Sequence, residues 1–544
     1  MRNAIITGVS LMALAIAAPA LSQSVSNLDQ IGNGNGATVN QAGSNTSDID
    51  QTGDNNRATT DQDGATNSST ITQNALGGGA FVTQDGDNNT STVIQQDASN
   101  QNSLGLPEDP EATVSQSGDN NGSTVNQNAV APGFNLVANV TQSGGDNVSN
   151  IDQDALGPQW SGSLRTNVTQ TGQSNSDVVQ LAGNSGAMGL NANVNQDESV
   201  SVINQLATGI SSGVMTANVN QQSGSDSTIN QTTSGQTARD LFARVTQSNG
   251  ATATVTQTAA GASSVNQDAF VTQNGASEAN VTQTFNGAGA NTFAATVNQT
   301  GSGNLANVTQ SDQGFTAVGN ADENLVATVT QTGNGNTTDL VQENKSATAL
   351  ITQQGNGNTV DGYQDGAGQG LIVLQTGNNN TSNSSQRGLN NSADVFQAAT
   401  GSGATSTINQ TGRNDLAFVD QLVGSDGSSS LITQTGASGA RSENSASVTQ
   451  SGLSNMSEIT QDGFNSTAEL LQSGSGNESN ITQTGTVDGF GNIADVTQSG
   501  NGNESNITQD GSLNSATVTQ SSNNNLSNIS QTGNGSMVTV TQGM

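Results

Sequence analysis

A short repeat with strict alternation inside it constrains this chain more than any other feature. One copy occupies residues 509–520, where Asn514, Ala516 and Val518 fall on alternate positions. Alternation of this kind is the period of a β-strand, whose side chains point to opposite faces in turn. A glycine often stands two residues after the glutamine of a copy and suits a tight corner. Because the pattern Asn-x-(Ala/Ser)-x-(Val/Ile)-x-Gln-x-Gly returns roughly every eleven residues, it predicts a long array of strands and corners.

The spacing of the glutamines indicates how those strands are connected. From Gln142 to Gln257 the glutamines alternate between long and short steps, of roughly sixteen and ten residues. Two strands therefore form one structural period, and only one of its two corners is enlarged. A coil with two strands and two corners has this property, and a flat hairpin meander shares it. We expect the coil, so the predicted fold is all-β: a β-solenoid of stacked two-strand coils over residues 23–544, with about 22 residues per coil.

Stacked coils would place equivalent side chains above one another at the ~4.8 Å spacing of strands, and about twenty coils would make a rod ~100 Å long. Side-chain amides both donate and accept hydrogen bonds, and ladders of Asn and Gln occur in cross-β structures. We therefore predict that inward amides form structural ladders, while small and β-branched columns fill the space between two sheets. The ladder residues selected from the sequence are Gln30, Asn35, Gln41, Asn304, Gln310, Asn477, Gln483, Asn514, Gln520, Asn525 and Gln531.

Composition argues against several kinds of function. The 544 residues include 43 Asp and Glu but only 9 Lys and Arg, so the formal net charge is −34 and no basic surface is expected for nucleic acid or anionic lipid. The chain has no His and no Cys, so we expect no enzyme and no catalytic, cofactor-binding or metal site. Asp61 and Asp63 are better explained as solvated turn residues than as a calcium site. Low hydrophobicity with high net charge is typical of disorder, but disorder does not require a strict repeat.

The first residues have the pattern of an export signal. Arg2 gives a short basic start, and residues 4–20 are apolar. A small-x-small cleavage signature follows at Ala20-Leu21-Ser22, with Ala18-Pro19-Ala20 as the alternative. We therefore predict a secretory signal peptide over residues 1–22. Since no later stretch is apolar enough to cross a bilayer, we expect no membrane insertion.

The repeat resembles a known one. The copy Gln30-Ile-Gly-Asn-Gly-Asn35-Gly-Ala37-Thr-Val-Asn-Gln41 is similar to the curlin repeat of bacterial curli, the extracellular functional amyloid of Gram-negative biofilms, and the copy from Gln299 to Gln310 is similar again. The resemblance implies a secreted fibre or pilus subunit that acts in adhesion and in the biofilm matrix. It also implies export through the periplasm, secretion through an outer-membrane pore, and polymerisation with copies of itself at the cell surface on a nucleating subunit.

The last repeat and the outward threonines lead to two further expectations. The final strand contains Val538, Val540 and Gln542 and has neither proline nor charge, so we predict that it is an elongation edge where another copy pairs. The alternative function is a soluble secreted β-solenoid, either an adhesin or an ice-binding protein. Rows such as Thr252, Thr254 and Thr256 would supply its flat face, although outward Thr is also ordinary β-sheet surface.

Overall fold

The structure, a computed structural model, describes residues 23–97, 110–130, 134–156, 162–183, 188–208, 213–234, 239–260, 265–286, 291–312, 323–399, 401, 403–436, 442–485 and 490–543. The predicted signal peptide over residues 1–22 lies outside these residues. Every named element in the described ranges is a β-strand, which confirms the all-β class. Within the same ranges, no helix has the length and apolar character needed to cross a membrane.

Forty strands follow one another along the chain. In order they are β1 (Val25–Ile31), β2 (Gly36–Ala42), β3 (Thr46–Thr52), β4 (Arg57–Asp63), β5 (Ser68–Asn74), β6 (Gly79–Asp85), β7 (Thr90–Asp97), β8 (Glu111–Ser117), β9 (Gly122–Ala129), β10 (Phe134–Ser143), β11 (Val148–Ala155), β12 (Gly162–Thr171), β13 (Asn175–Ala182), β14 (Met188–Asp197), β15 (Val200–Ala207), β16 (Gly213–Gln222), β17 (Asp226–Thr233), β18 (Arg239–Ser248), β19 (Thr252–Ala259), β20 (Val265–Asn274), β21 (Glu278–Phe285), β22 (Asn291–Thr300), β23 (Leu305–Asp312), β24 (Glu323–Thr332), β25 (Thr337–Gln354), β26 (Thr359–Thr376), β27 (Thr381–Leu389), β28 (Ser392–Gln397), β29 (Thr405–Gln410), β30 (Leu416–Gln421), β31 (Ser429–Thr435), β32 (Ser445–Ser451), β33 (Met456–Asp462), β34 (Thr467–Ser473), β35 (Glu478–Thr484), β36 (Ile493–Gln498), β37 (Glu504–Ser512), β38 (Ser515–Gln520), β39 (Leu526–Asn534) and β40 (Met537–Gln542).

The strands wind into a parallel solenoid with two sheets. Up to β23, each strand pairs in parallel with the strand two places further along, so odd-numbered strands build the first sheet and even-numbered strands the second. The long strands β25 and β26 each run through a corner and contribute to both sheets. The first sheet then continues through β27 and the second through β28. A flat meander would pair chain neighbours in antiparallel fashion, so this pairing confirms the two-strand coil.

Equivalent residues remain aligned whatever the length of the coil. Gln51 lies beside Gln73 of the next coil, 22 residues on. Gln84 lies beside Gln116, 32 residues on. The extra residues of a long coil are therefore accommodated at a corner, and the strand register is unchanged.

The main core is a thin layer between the two sheets. Alternate residues of each strand point inward, as Ala112, Val114 and Gln116 do on β8. One small, one β-branched and one amide residue thus recur as buried columns along each sheet. Side chains of this size let the sheets pack closely, so a chain that is only 30% hydrophobic still buries a continuous core.

Between β11 and β23 the longer connections follow the odd-numbered strands, the alternation that the glutamine steps from Gln142 to Gln257 predict. In this region the odd strands have 8 residues and the even strands 10. Their additional inward residues form a second apolar cluster beside the main core. Leu164 and Leu190 belong to it, and so do Phe285 and Phe293, whose rings meet edge to face with centroids 6.2 Å apart. The repeat pattern alone did not predict this second cluster.

The corners place glycine where another residue would not fit. Gly333 has a φ of 110°, in the left-handed region that favours glycine. A Cβ on Gly333 would overlap the carbonyl oxygen of Gly355 in the next coil. The glycine that recurs two residues after the glutamine is therefore required both for the corner conformation and for close packing of successive coils.

Candidate functional site

The glutamine of each coil donates to the glutamine of the next. Gln483 Nε2 lies 2.9 Å from Gln509 Oε1, and Gln310 Nε2 lies 2.8 Å from Gln342 Oε1. The same nitrogen also donates to a carbonyl across the coil, as Gln483 does to Thr467 O at 3.0 Å. A buried amide costs free energy unless it is hydrogen-bonded, and here both ends of the amide are satisfied by stacking.

The glutamine columns have a direction. In every Gln–Gln bond of the described coils, Nε2 belongs to the earlier coil and Oε1 to the later one. The bond from Gln30 to Gln51 is 2.5 Å at the start of the first sheet, and Gln41 bonds to Gln62 at 2.7 Å in the second. At the other end, Gln520 bonds to Gln542 at 2.8 Å. Each column therefore begins with an acceptor oxygen and ends with a donor nitrogen.

The asparagines also stack, but they bond mainly to the backbone. Asn304 Oδ1 accepts the N–H of Asn336 in the next coil at 3.0 Å, and Asn304 Nδ2 donates to Gly333 O at 2.8 Å. The asparagine stands at the start of a strand, beside the corner, so its short side chain reaches corner backbone. The amide-to-amide ladder expected for these columns is thus replaced by a side-chain-to-backbone ladder at most coils.

The other predicted ladder residues occupy equivalent places. Among the asparagines, Asn35 Oδ1 accepts the N–H of Asn56 at 2.9 Å, Asn477 Oδ1 that of Asn503 at 3.0 Å, and Asn514 Oδ1 that of Ser536 at 3.0 Å. Asn525 is an exception, because its Nδ2 bonds to Asn503 Oδ1 at 3.0 Å. Gln531 Oε1 accepts from Gln509 Nε2 at 2.8 Å.

One asparagine column contains a buried carboxyl group that the sequence reading did not single out. Asp415 is fully buried and stands between Asn391 and Asn444. Its backbone N–H donates to Asn391 Oδ1 at 3.1 Å, and its own Oδ1 accepts the N–H of Asn444 at 3.0 Å. Burial raises the pKa of Asp415, although hydrogen bonds from Ser442 and Asn444 act in the opposite direction. Alignment of the corner asparagines would have revealed it, since Asp415 occupies the Asn position of its repeat.

Two segments of the chain, residues 44–74 and 454–485, match the family model described as the curlin associated repeat. These two segments of the chain carry curlin repeats. Each matched segment spans three consecutive strands, β3 to β5 and β33 to β35, and both have the amide columns and corners described above. No curated protein matches the chain. Curlin repeats wound into a β-solenoid indicate a structural protein.

The first and last coils of the described solenoid leave strand edges unpaired. β1 and β2 pair only with β3 and β4, and β39 and β40 pair only with β37 and β38, among the strands described. The inward residue Leu28 in the first coil is consequently 44% exposed. Val538 and Val540 are only partly buried against the core.

At the outer edge of β40, the outward backbone donors belong to residues other than the predicted Val538, Val540 and Gln542. In each coil the outward residues donate to the following coil, as Ser515 N–H does to Ser536 O at 2.8 Å and Ser521 N–H to Gln542 O at 2.9 Å. Because parallel strands alternate the direction of their N–H groups, Val538 and Val540 direct theirs back to β38. Their outward neighbours Met537, Thr539 and Thr541 present backbone donors at this edge that no strand of the described ranges accepts.

No metal-binding constellation occurs in the described ranges: no three or more His, Cys, Asp and Glu side chains are grouped so that they could hold an ion. Carboxylates instead lie along outward columns and corners. Asp339 and Asp361, for example, are neighbours in adjacent coils. Burial, together with the charge of Asp361, raises the pKa of Asp339.

Proposed function

We propose that the chain is a secreted structural subunit of a curli-like amyloid fibre on the surface of a Gram-negative cell, where the fibre acts in adhesion and in the biofilm matrix. The observation that carries the proposal is the pair of open solenoid ends. The first and last coils have the strand positions and amide columns of the coils between them, and their outer edges are unpaired within the described residues. Unpaired edges of this kind are templates for another chain.

Growth would occur by head-to-tail stacking of coils. In the proposed joint, β40 of one copy pairs with β2 of the next, and β39 pairs with β1. Gln542 Nε2, which already donates to Leu526 O at 2.8 Å, would then face the Oε1 of Gln41 in the next copy. The direction of the glutamine columns favours this arrangement over a head-to-head joint, which would bring two donors or two acceptors together.

The partners of this role remain those that the curlin repeat implies. They are further copies of the chain, a nucleating subunit and an outer-membrane secretion pore, reached through the periplasm after the segment 1–22 is removed. The role is non-enzymatic and requires no cofactor. The net charge of −34 supports a secreted subunit that stays soluble until nucleation, because like charges oppose premature association.

A proline pair at the open edge tests the proposal. Thr539→Pro with Thr541→Pro removes two N–H donors that point away from the solenoid, and edge strands tolerate proline on that side. The variant should keep the β-sheet circular dichroism of the wild type and fail to elongate wild-type seeds, measured by thioflavin fluorescence and electron microscopy.

The matched control is Thr539→Val with Thr541→Val, which retains both backbone donors and should elongate seeds at about the wild-type rate. The predicted edge residues give a second comparison: Val538→Pro with Val540→Pro should unfold the last coil, because those N–H groups face β38. Elongation by the Thr539/Thr541 proline variant at the wild-type rate would show that β40 is not the growing edge.

A second candidate function rests on the register of outward threonines in the first sheet. Thr256, Thr282 and Thr309 stand in one column, and Thr258 and Thr284 stand beside it. Such a flat regular array is the feature expected of a soluble ice-binding solenoid. Thermal hysteresis that is lost in Thr282→Lys, in a preparation that forms no fibres, would favour this function over the fibre subunit.

A further inference from the structure

One region of the second sheet departs from the polar surface around it. On the outward face of β26, β28 and β30, six residues form a surface that we call the Phe–Asp patch: Ile372, Leu374, Asp394, Phe396, Phe418 and Asp420. The strand register places Asp394 beside Phe418, and Phe396 beside Asp420. Ile372 and Leu374 adjoin them on the preceding coil. On the following coil, Ser447 and Thr449 return to the polar pattern.

The patch combines exposed apolar groups with carboxylate oxygens that have no donor. Ile372 is 47% exposed and Phe418 41% exposed. Neighbouring side chains screen Oδ1 of Asp394 and Oδ1 of Asp420 from solvent, and neither oxygen receives a hydrogen bond from the described residues. Burial raises the pKa of both carboxyl groups. A carboxylate that is partly desolvated and has an unpaired oxygen costs free energy, and a positive charge held over the two carboxylates would offset part of that cost.

At one other outward aromatic residue, the chain supplies the cation itself. The guanidinium carbon of Arg387 lies 4.8 Å from the ring centroid of Tyr363, whose hydroxyl donates to Glu343 at 2.8 Å. Arginine over an aromatic face is a favourable contact. Here the aromatic ring, the carboxylate and the cation all come from the same chain.

The same combination occurs on β18 and β20. The rings of Phe242 and Phe270 are 5.5 Å apart, Arg244 lies beside Phe270, and Asp268 lies beside Phe242. By contrast, β26, β28, β30 and β32 contain no Lys or Arg. The Phe–Asp patch therefore has the aromatic and acidic members of this combination without its cationic member.

The shape and charge of the patch restrict what can occupy it. A small ligand needs a concave site, whereas this is the flat face of a sheet. A second copy of the chain has only 9 Lys and Arg in 544 residues and so offers few cations to an acidic surface. An extended segment presents alternate side chains roughly 7 Å apart, which matches the spacing of Asp394 and Phe396 along their strand.

We propose that the Phe–Asp patch is a docking surface for an extended cationic segment of another protein, one that presents Arg or Lys and apolar side chains in alternation on the same face. A basic side chain would lie over Asp394 or Asp420 and an apolar one over Phe396 or Phe418. This inference does not depend on fibre formation, because the patch lies on the side of the solenoid and away from its open ends.

The test uses freshly purified, unpolymerised chain and a fluorescein-labelled peptide of sequence Arg-Thr-Val-Thr-Arg-Thr-Val-Thr. As a strand, this peptide places Arg and Val on one face. Binding is measured by fluorescence anisotropy. Asp394→Asn with Asp420→Asn keeps the side-chain shape and removes both charges, and should weaken binding about tenfold or more. Phe396→Thr with Phe418→Thr should weaken it several-fold by removing the apolar contact.

The matched control is Asp48→Asn with Asp50→Asn, which also removes two negative charges from one strand face. These residues lie on β3, and their outward neighbours on β5 are Thr70 and Thr72. Its affinity for the peptide should stay within about twofold of the wild type. Equal loss in both Asp-to-Asn pairs would mean that the peptide senses net charge alone, and the proposal would be wrong. It would be overturned as well by absence of binding to the wild type, or by equal binding of a peptide with Glu in place of Arg.

Discussion

At the scale of single residues, the solenoid is stabilised by glutamine side chains that hydrogen-bond from coil to coil, parallel to the backbone hydrogen bonds of the sheets. Gln483 receives a bond from Gln461 at 2.9 Å and gives one to Gln509 at 2.9 Å. Without the Gln483 side chain, the Nε2 donor of Gln461 and the Oε1 acceptor of Gln509 would each lose a hydrogen-bond partner while buried. The cost of a substitution therefore depends on whether the side chain points inward, and far less on whether it is polar.

We expect Gln483→Ala with Asn477→Ala to destabilise the rod by about 1–3 kcal/mol for each amide lost, because buried partners remain unpaired. Thr482→Ala with Ser475→Ala should cost much less, since Thr482 and Ser475 are half-exposed. Thermal melts followed by circular dichroism compare the two pairs. Equal losses would contradict the assignment of the amides to the interior.

Asp415 offers a residue-scale prediction with a defined pH dependence. Burial raises its pKa in the folded state, so the folded chain binds a proton more readily than the unfolded one. The stability associated with Asp415 is therefore fully present below its unfolded pKa and is lost as pH rises through the folded value.

Asp415→Asn should remove this pH dependence and raise stability at neutral pH by about 1 kcal/mol, because an amide there can donate to Thr411 O. Asn391 shows the equivalent bond to Arg387 O at 2.9 Å. The two proteins should melt at nearly the same temperature in acid and diverge toward pH 7. A constant difference across that range would rule out the buried carboxyl group as its source.

At the scale of strands and corners, register is maintained because successive corners touch through their backbones. Gly333 and Gly335 lie in one corner and both have positive φ, of 110° and 66°. A Cβ on Gly333 would overlap Gly355, whereas a Cβ on Gly335 would meet nothing within 4 Å. Gly335 is thus required only for the backbone conformation of the turn, whereas Gly333 is required also for close contact with the next coil.

Gly335→Ala should cost only the left-handed backbone penalty, about 1–2 kcal/mol. Gly333→Ala should cost several kcal/mol more, because two coils must move apart. Hydrogen exchange of the amides in β25 and β26 would localise the loss of protection. Similar protection in the two variants would show that the corner backbones do not need to touch.

Much of this element-level organisation could be predicted from sequence, because each repeat carries its own inward pattern. Val518 and Gln520 identify the buried face, and the long and short glutamine steps identify which corner is enlarged. Leu164 and Phe293 were not recognised, since they stand where enlarged corners interrupt the pattern that identifies inward positions. The donor direction at Val538 was also missed, because alternation of side chains does not reveal which neighbour each N–H faces.

At the scale of the whole molecule, acidic side chains occur along the outer faces of both sheets of the solenoid. Burial raises the pKa of outward carboxyl groups in several coils, including Asp152, Asp268 and Asp339, and nearby aspartates raise each of these further. These carboxyl groups therefore stabilise the folded solenoid as pH falls toward the usual pKa of Asp, and they destabilise it as pH rises. End-to-end association of two solenoids adds electrostatic repulsion between their acidic side chains, which falls off over about a Debye length, ~10 Å at 0.1 M salt.

We accordingly expect shorter lag times for polymerisation at mildly acidic pH and at raised salt. The measurement is thioflavin fluorescence of the chain from residue 23 onward, over a series of pH values and sodium chloride concentrations, with the Thr539→Pro and Thr541→Pro variant as the non-elongating control. Lag times that do not change with ionic strength would refute the electrostatic explanation.

The one-way bonding of the glutamines has a consequence for any assembly of these coils. Each column aligns its amide dipoles over the whole length of the solenoid, and hydrogen bonds in such chains polarise one another. The two tips of a filament would then be chemically distinct, one receptive and one donating, and would grow at different rates. An anchor that presents only hydrogen-bond acceptors would capture the donating tip alone, and so would decide which way every filament points from the cell.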